Sequence, residues 1–340
     1  MLKFILFFSF ISLIHPKLTC NNIYNMNNNI DWYFILSYPS SNKNIYFTYI
    51  DSSNKIINNI KFTNEENFPP FEILSPFKKK YNQSEIDYFT FNSEINKGFF
   101  IFSLLKSEFI LISHSLLKFP FIFDNNKFNV PNNFFTSINN FFCFSSENNE
   151  IINNLKSLDL SIIDSNFGLE EFHLNIFNDF NYVNFNVLTN FNLFLIHVFS
   201  KINSKILPFE FEIRNFFKCG FFIKNDYFNN EKFVLKSDCK NKFRLFNVNS
   251  VKLRDEIFYS KINNEINNEN NKNNNEIKDN SKWAVAIEKN IVCFGDFDRN
   301  SNFANKKGNE YCFENKIVAN FLRNIIVSYE DCDGNIKNIN

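Results

Sequence analysis

Two lysines each stand at the mouth of an apolar hairpin. Lys97, in Asn96-Lys97-Gly98, precedes Phe99-Phe100-Ile101-Phe102, a turn at Lys106-Ser107-Glu108, and Phe109-Ile110-Leu111-Ile112-Ser113-His114. Lys282, in Asn280-Ser281-Lys282-Trp283, precedes Ala284-Val285-Ala286-Ile287, a turn at Glu288-Lys289-Asn290, and Ile291-Val292-Cys293-Phe294-Gly295-Asp296. Both stretches follow one plan, with a cation at the start and a polar residue at the far end, and they read as a degenerate internal repeat, one per half. Two ammonium groups that meet across a pseudo-twofold axis would hold one anion, and a phosphodiester is the natural candidate. The plainer alternative is two unrelated surface lysines.

The elements that would position these groups are mostly strands. Trp32-Tyr33-Phe34-Ile35-Leu36 and Ile45-Tyr46-Phe47-Thr48-Tyr49-Ile50, separated by a Ser/Pro/Asn-rich turn, predict a hairpin. The lysine-led hairpins are apolar without alternation, the pattern of strands buried on both faces. Residues 64–82 read as a loop in which Lys78, Lys79 and Lys80 are solvated, and 151–200 reads as mixed helix and strand. His197, in Phe194-Leu195-Ile196-His197-Val198-Phe199, reads as a core histidine, and His173 has no constellation around it. Apolar residues at Ile317, Val318, Phe321, Leu322, Ile325, Ile326 and Tyr329 predict one amphipathic helix flanked by Cys312 and Cys332. The Asn-Glu-Lys tract at 262–278 is low-complexity and reads as a disordered insert.

A chain of 340 residues with 44% apolar composition can bury a core in one large domain or two half-domains. Lys+Arg and Asp+Glu are equal at 36, so the formal net charge is zero. That balance argues against a broad basic surface for polyanions and leaves only local phosphate recognition. The apolar run after Lys3 is too short to span a bilayer and reads as a signal peptide cleaved close to Cys20, with a retained N-terminal anchor as the alternative. Seven cysteines in an exported chain imply disulfides with one thiol left over, and spacing alone leaves their pairing open. Asn82-Gln83-Ser84 is a glycosylation sequon, and Asn82 suits a surface loop.

A family resemblance becomes specific in the last third. Asp279-Asn280-Ser281-Lys282-Trp283, Cys293-Phe294-Gly295-Asp296-Phe297-Asp298-Arg299-Asn300, Cys312 and Cys332 resemble the C-terminal signature of the deoxyribonuclease II family, D-H-S-K-W followed by C-x-G-D-x-N-R-N. Asp31-Trp32, Tyr46 to Asp51, Lys97-Gly98, His114-Ser115 with Phe119-Pro120, and Phe246-Asn247-Val248-Asn249 resemble family segments in the same order. The resemblance implies an α/β, phospholipase-D-like fold of two pseudo-symmetric halves, each a mixed β-sheet flanked by helices. On that reading 1–19 is the signal peptide, 20–148 the N-terminal half, and 149–340 the C-terminal half carrying the insert. It also implies a secreted or lysosomal endonuclease that acts on DNA at acid pH with no metal and no cofactor.

In that family H-x-K occurs once per half. One histidine attacks phosphorus, the other protonates the leaving 5′ oxygen, and the lysines hold the phosphate, leaving a 3′-phosphate. Histidine suits both tasks because it is nucleophilic when neutral and acidic when charged near mildly acid pH. Here Ile95 and Asn280 occupy the two histidine positions, and Ser103 stands where the family has an acid. Neither Ile nor Asn can form a phosphoryl-enzyme or usefully donate a proton. Lys97 and Lys282 remain as phosphate ligands, with His114, Asp296, Asp298, Arg299 and Asn300 as further site candidates. Three readings follow: a pseudo-nuclease that still holds DNA phosphates, an active acid nuclease using His114 or another rescue, and a secreted interaction protein that binds no nucleic acid. The family's disulfide pairing, carried over, gives Cys20-Cys143, Cys239-Cys332 and Cys293-Cys312, with Cys219 free.

Overall fold

A computed structural model of the chain describes residues 18–21, 29–40, 44–62, 68, 70, 73, 87–92, 97–103, 107–116, 132–147, 162–165, 182–188, 194–201, 207–225, 235–254, 256–259, 278–295, 299 and 308–339. β1 (Cys20–Asn21) and β2 (Asn29–Ile30) pair as a short antiparallel ribbon. The first sheet contains β3 (Trp32–Pro39), β4 (Ile45–Asp51), β5 (Ile56–Lys61), β6 (Asp87–Asn92), β7 (Lys97–Ser103), β8 (Glu108–His114), β9 (Ser137–Glu147) and β10 (Ile162–Ser165). Its order is β10-β6-β7-β8-β9-β3-β4-β5.

The second sheet begins with β11 (Tyr182–Leu188), β12 (Leu195–Lys201), β13 (Phe221–Lys224), β14 (Leu245–Leu253) and β15 (Glu256–Tyr259). The chain then returns to the first sheet as β16 (Lys278–Asp279), alongside β9. β17 (Trp283–Ala286), β18 (Ile291–Gly295), β19 (Gly308–Glu314), β20 (Ile326–Glu330) and β21 (Ile336–Asn338) complete the second sheet. Its order is β11-β12-β19-β18-β17-β13-β14-β20-β21, with β15 on β14. Both sheets are mixed: β9 with β16 and β13 with β14 run parallel, and the other ladders are antiparallel.

The two lysine-led hairpins form as the sequence predicts, β7 with β8 and β17 with β18. Their unbroken apolar character has a direct cause. Phe100, Phe102, Phe109 and Leu111 face a core shared with the second sheet, while Phe99, Ile101, Ile110 and Ile112 face a separate core on the other side. The shared core is closed by rings from both sheets: Phe34 stacks on Phe294 at 4.4 Å and Phe142 on Phe313 at 5.1 Å between centroids. A buried phenylalanine contributes about 1.5–3 kcal/mol relative to exposure. A third core, with Phe199, Phe221, Ala284 and Cys293, covers the far face of the second sheet.

Helices are sparser than the resemblance implies. Among the described residues they are a 3-10 turn at Asn132–Phe135, a π-helical turn at Phe209–Ile213 running into α1 (Arg214–Phe217), and α2 (Lys316–Ile325). The predicted helix to Tyr329 is therefore too long. It starts under an Asn315 cap, whose side chain accepts from the Ile317 and Val318 N–H groups, a bond worth about 1 kcal/mol. It stops at Ile325 because Ile326 turns extended and Ile326–Glu330 joins the sheet beside β14. The apolar spacing continues through the change, so periodicity alone could not mark it. Between 151 and 200 the described segments are strands. The first sheet takes β10, which lies beyond Glu147, and β16 as edge contributions from later in the chain.

Three disulfides join Cys20 to Cys143, Cys239 to Cys332 and Cys293 to Cys312, the same pairs that the resemblance implies. The last bridges directly opposed residues of β18 and β19. Bridges of this kind typically stabilise by about 2–4 kcal/mol each. Cys219 is free and buried, and burial pushes its thiol up to about 11. No helix among the described residues is long and apolar enough to cross a membrane. Residues 1–17, Lys78 to Lys80, Asn82, His173 and 262–277 lie outside the described residues. The oxidised protein is expected to titrate a single thiol after denaturation and close to none when native, measured with a chromogenic disulfide reagent. Three reactive thiols would contradict the pairing.

Candidate functional site

β9 is the strand on which the two halves of the site meet. β8 runs along one of its edges as far as His114, opposite Phe141, and Ser115 continues the contact by donating its N–H to Asn140 O at 3.0 Å. Beyond that point β16 takes the same edge, with Lys278 opposite Ser137, Asp279 opposite Ile138, and the Asn280 N–H bonded to Ile138 O. The chain then leaves the first sheet and enters the second at Trp283. The segment 280–282 is therefore a crossing between sheets, laid at the end of β8.

That placement brings the sequence candidates together. Gly98 pairs with Ser113, so the next residues out, Lys97 and His114, oppose one another at the same end of the sheet. Asn140 joins the two halves: its N–H donates to Ser115 Oγ at 2.9 Å, and its Oδ1 accepts the Lys282 N–H at 2.6 Å. Lys97, His114, Asn280, Ser281 and Lys282 are all buried. Ile95, Asp296, Asp298 and Asn300 lie outside the described residues.

A buried ion pair fixes the crossing from the second sheet. Lys224, at the end of β13, holds Asp279 with Nζ 3.0 Å from Oδ2, both side chains being almost fully excluded from solvent. The other carboxylate oxygen accepts the Ser281 N–H at 3.0 Å and its hydroxyl at 2.6 Å. Isolated charges do not survive such burial; paired and bonded ones do. Asp279 thus sets the turn from which Lys282 emerges.

Arg299 has a different task from the one its motif suggests. Its Nε donates to Glu210 at 2.6 Å, one terminal nitrogen to Asn247 Oδ1 at 2.7 Å, and the other to the Lys236 carbonyl at 2.9 Å. Its backbone N–H donates to Asn225 Oδ1 at 3.0 Å, directly beside Lys224. The guanidinium is committed to protein acceptors on three sides and braces the strand ends behind the ion pair. Gly295 is also structural: a Cβ there would collide with the Asn309 carbonyl and the Glu310 carboxylate across the ladder. Ser103 is buried at the far end of β7, away from Lys97.

Burial, with the Lys97 charge adding to it, holds His114 well below the usual histidine range. A neutral imidazole is the stable form there, through the acid pH at which a free histidine would charge. His197 is also lowered by burial. It is half-buried and packs against the rings of Phe217 and the exposed Phe216, at the margin of the core and not inside it as the sequence predicts.

Sequence reading missed Asn139, Asn140, Lys224, Asn225 and Glu210. A signal existed for the first two and for Lys224, since each interrupts an apolar strand with a group that costs free energy to bury unless it is bonded. A family model described as deoxyribonuclease II matches residues 19–332, nearly the whole chain. No curated protein matches the chain.

Removing the Arg299 side chain should cost about 3–5 kcal/mol, the scale for leaving a buried partner uncompensated, measured by urea unfolding of Arg299→Ala. Because His114 is neutral when folded and takes up a proton when unfolded, stability is full above the ordinary histidine value and falls as pH drops through about 6.5. His197 acts in the same direction. Unfolding free energies between pH 7.5 and 5 should show this loss, and His114→Phe should flatten it by up to about 1.4 kcal/mol per pH unit. An unchanged slope would contradict the burial of a neutral ring.

Proposed function

The chain belongs to the deoxyribonuclease II family, and from that premise we propose that it is a family scaffold, phospholipase-D-like in fold, that has lost hydrolysis while still holding DNA phosphates through Lys97 and Lys282. The observation that carries this reading is at position 280. The residue at one family histidine position is an asparagine, fully buried and bonded through its amide to Asn139 at 3.3 Å. An amide neither attacks phosphorus nor donates a proton near neutral or acid pH. Ile95, at the other family position, has no polar atom at all.

General acid–base groups typically contribute about 10²–10⁴ each, so loss of both leaves only the electrostatic hold on the phosphate. The two lysines support that remaining function. Lys97, on β7, opposes His114 at the end of β8, and Lys282, just after β16, donates its N–H to Asn140 on β9, the strand whose edge β8 and β16 share. The domain reading fits the same scheme: a signal peptide at 1–19, a first half at 20–148, and a second half at 149–340 with an insert at 262–278. Family membership and three disulfides are consistent with a secreted or lysosomal protein.

A second reading, an active nuclease, draws on one observation. The neutral ring of His114 beside Lys97 is in the protonation state a nucleophile needs. The same burial that keeps it neutral removes it as proton donor to the leaving oxygen, so His114 alone supplies half of the chemistry.

Two assays separate the readings. Oligonucleotide binding at pH 5, followed by fluorescence anisotropy, should weaken with salt, and Lys97→Ala/Lys282→Ala should lower the log–log salt slope by about 2. Unaltered binding in the double variant would remove the lysines from the site. Supercoiled plasmid should persist in the presence of a chelator at pH 5. Metal-independent cleavage lost in His114→Ala would establish the active reading instead.

A further inference from the structure

The two lysine-led hairpins match strand for strand, and each sets one ionisable group against its lysine. In the first, Lys97 on β7 opposes His114 on β8, which in turn opposes Phe141 on β9. In the second, Trp283 opposes Phe294, so the next residue out, Lys282, stands beside Gly295, and Gly295 pairs with Glu310 on β19. The glycine puts no side chain against Lys282. Glu310 fills that space, since a Cβ on Gly295 would come within 2.5 Å of its Oε2. Strand alternation places the row on one face: Lys282 is two residues before Ala284, Gly295 two after Cys293 and Glu310 two before Cys312, and Ala284, Cys293 and Cys312 all belong to the far core of the second sheet. Lys282 and Glu310 are 5% and 2% exposed. Each charge is costly to bury alone, and an opposite charge across one glycine offsets that cost.

We propose that Glu310 is the carboxylate of the Lys282 phosphate subsite and gates it: charged, it engages the ammonium group, and protonated, it yields that group to a phosphodiester. This deepens the proposed hold on DNA phosphates and rests on that reading. The physical reason is linkage. A phosphodiester keeps its charge from neutral to mildly acid pH, and bringing that charge beside Glu310 favours the protonated carboxyl. Binding therefore takes up a proton, and by reciprocity a proton on Glu310 tightens binding. The other ionisable groups on this face sit elsewhere in the row or are engaged. On β12, Phe199 opposes Glu310, with His197 and Lys201 at the flanking register positions. The helical segment over the same core carries Glu210, held by Arg299 at 2.6 Å, Glu212, and Arg214, held by Asp238. Lys224 follows Ile223 and so alternates to the opposite face, where Asp279 holds it. Lys282 is thus the cation set directly across Gly295 from the carboxylate.

The test is anisotropy with a labelled single-stranded oligonucleotide from pH 5 to pH 7.5 at constant ionic strength, on the native full chain, Glu310→Gln, Lys282→Ala and the double variant. Native affinity should fall toward pH 7.5, by up to about tenfold per pH unit for one linked proton. Glu310→Gln should bind at pH 7.5 as the native chain binds at pH 5, with most of the pH dependence gone. In the Lys282→Ala background, adding Glu310→Gln should no longer tighten binding at pH 7.5. Calorimetry of the native chain with the same oligonucleotide at pH 6, in two buffers of different ionisation enthalpy, should show net proton uptake, a readout that needs no variant to fold. A folded Glu310→Gln chain that keeps the native pH profile, or native binding without proton uptake, overturns the gate and leaves the lysine hold standing. Binding that is absent at every pH, or indifferent to Lys97→Ala/Lys282→Ala, overturns the hold and the gate with it.

Discussion

The site depends on one interaction, the ion pair between Lys224 and Asp279. It lies at the seam between the sheets, with both side chains out of solvent. Taking two charges out of water costs several kcal/mol per ion, and their mutual attraction offsets this only where further hydrogen bonds complete the geometry. Here the completion comes from Ser281, whose N–H and hydroxyl both reach the remaining carboxylate oxygen. The same bonds fix the turn that directs the chain from the first sheet into the second. A buried pair is weak evidence for stability in general, and its part here is to tie the turn at residues 279–281 to the end of β13.

Everything near that pair is arranged to keep polar groups bonded inside an apolar shell. Asn140 serves both halves, and Arg299 holds the strand ends behind Lys224 through Glu210, Asn247 and Asn225. The aromatic core supplies the stiffness that such a network needs. Phe34, Phe142, Phe294 and Phe313 interlock between the sheets, so a shift of either sheet would break ring packing as well as hydrogen bonds. Three disulfides act on the same framework. The result is a scaffold that keeps Lys97 and Lys282 buried at the end where β8 and β16 meet along β9.

Sequence reading found the parts of this that are local. The two hairpins, the β3–β4 hairpin and the helix after Cys312 follow from β-branched and aromatic runs, turn residues and apolar spacing. The same spacing predicts a helix to Tyr329, whereas the helix ends at Ile325. Apolar residues at helical spacing recur through Ile326, where pairing with β14 outweighs local preference. Arg299 was legible as a motif member and illegible in its role. A charged residue in a signature invites a ligand, while the structure surrounds it with protein acceptors.

What the amino-acid sequence determined by itself was identity: two lysine-led repeats, a family signature, and the residue types Ile95 and Asn280 two places before the lysines. Those are properties of residue type and order. The tertiary structure alone decided how the site is held. Asn280 meets Asn139 across 141 residues, Lys282 meets Asn140 across 142, and Arg299 meets Glu210 across 89. Complementarity of this kind depends on which way a donor or acceptor points once the chain is packed. No pattern along the chain carries that direction, because it is set by the sheet that β9 and β16 share and by the ion pair that closes the crossing.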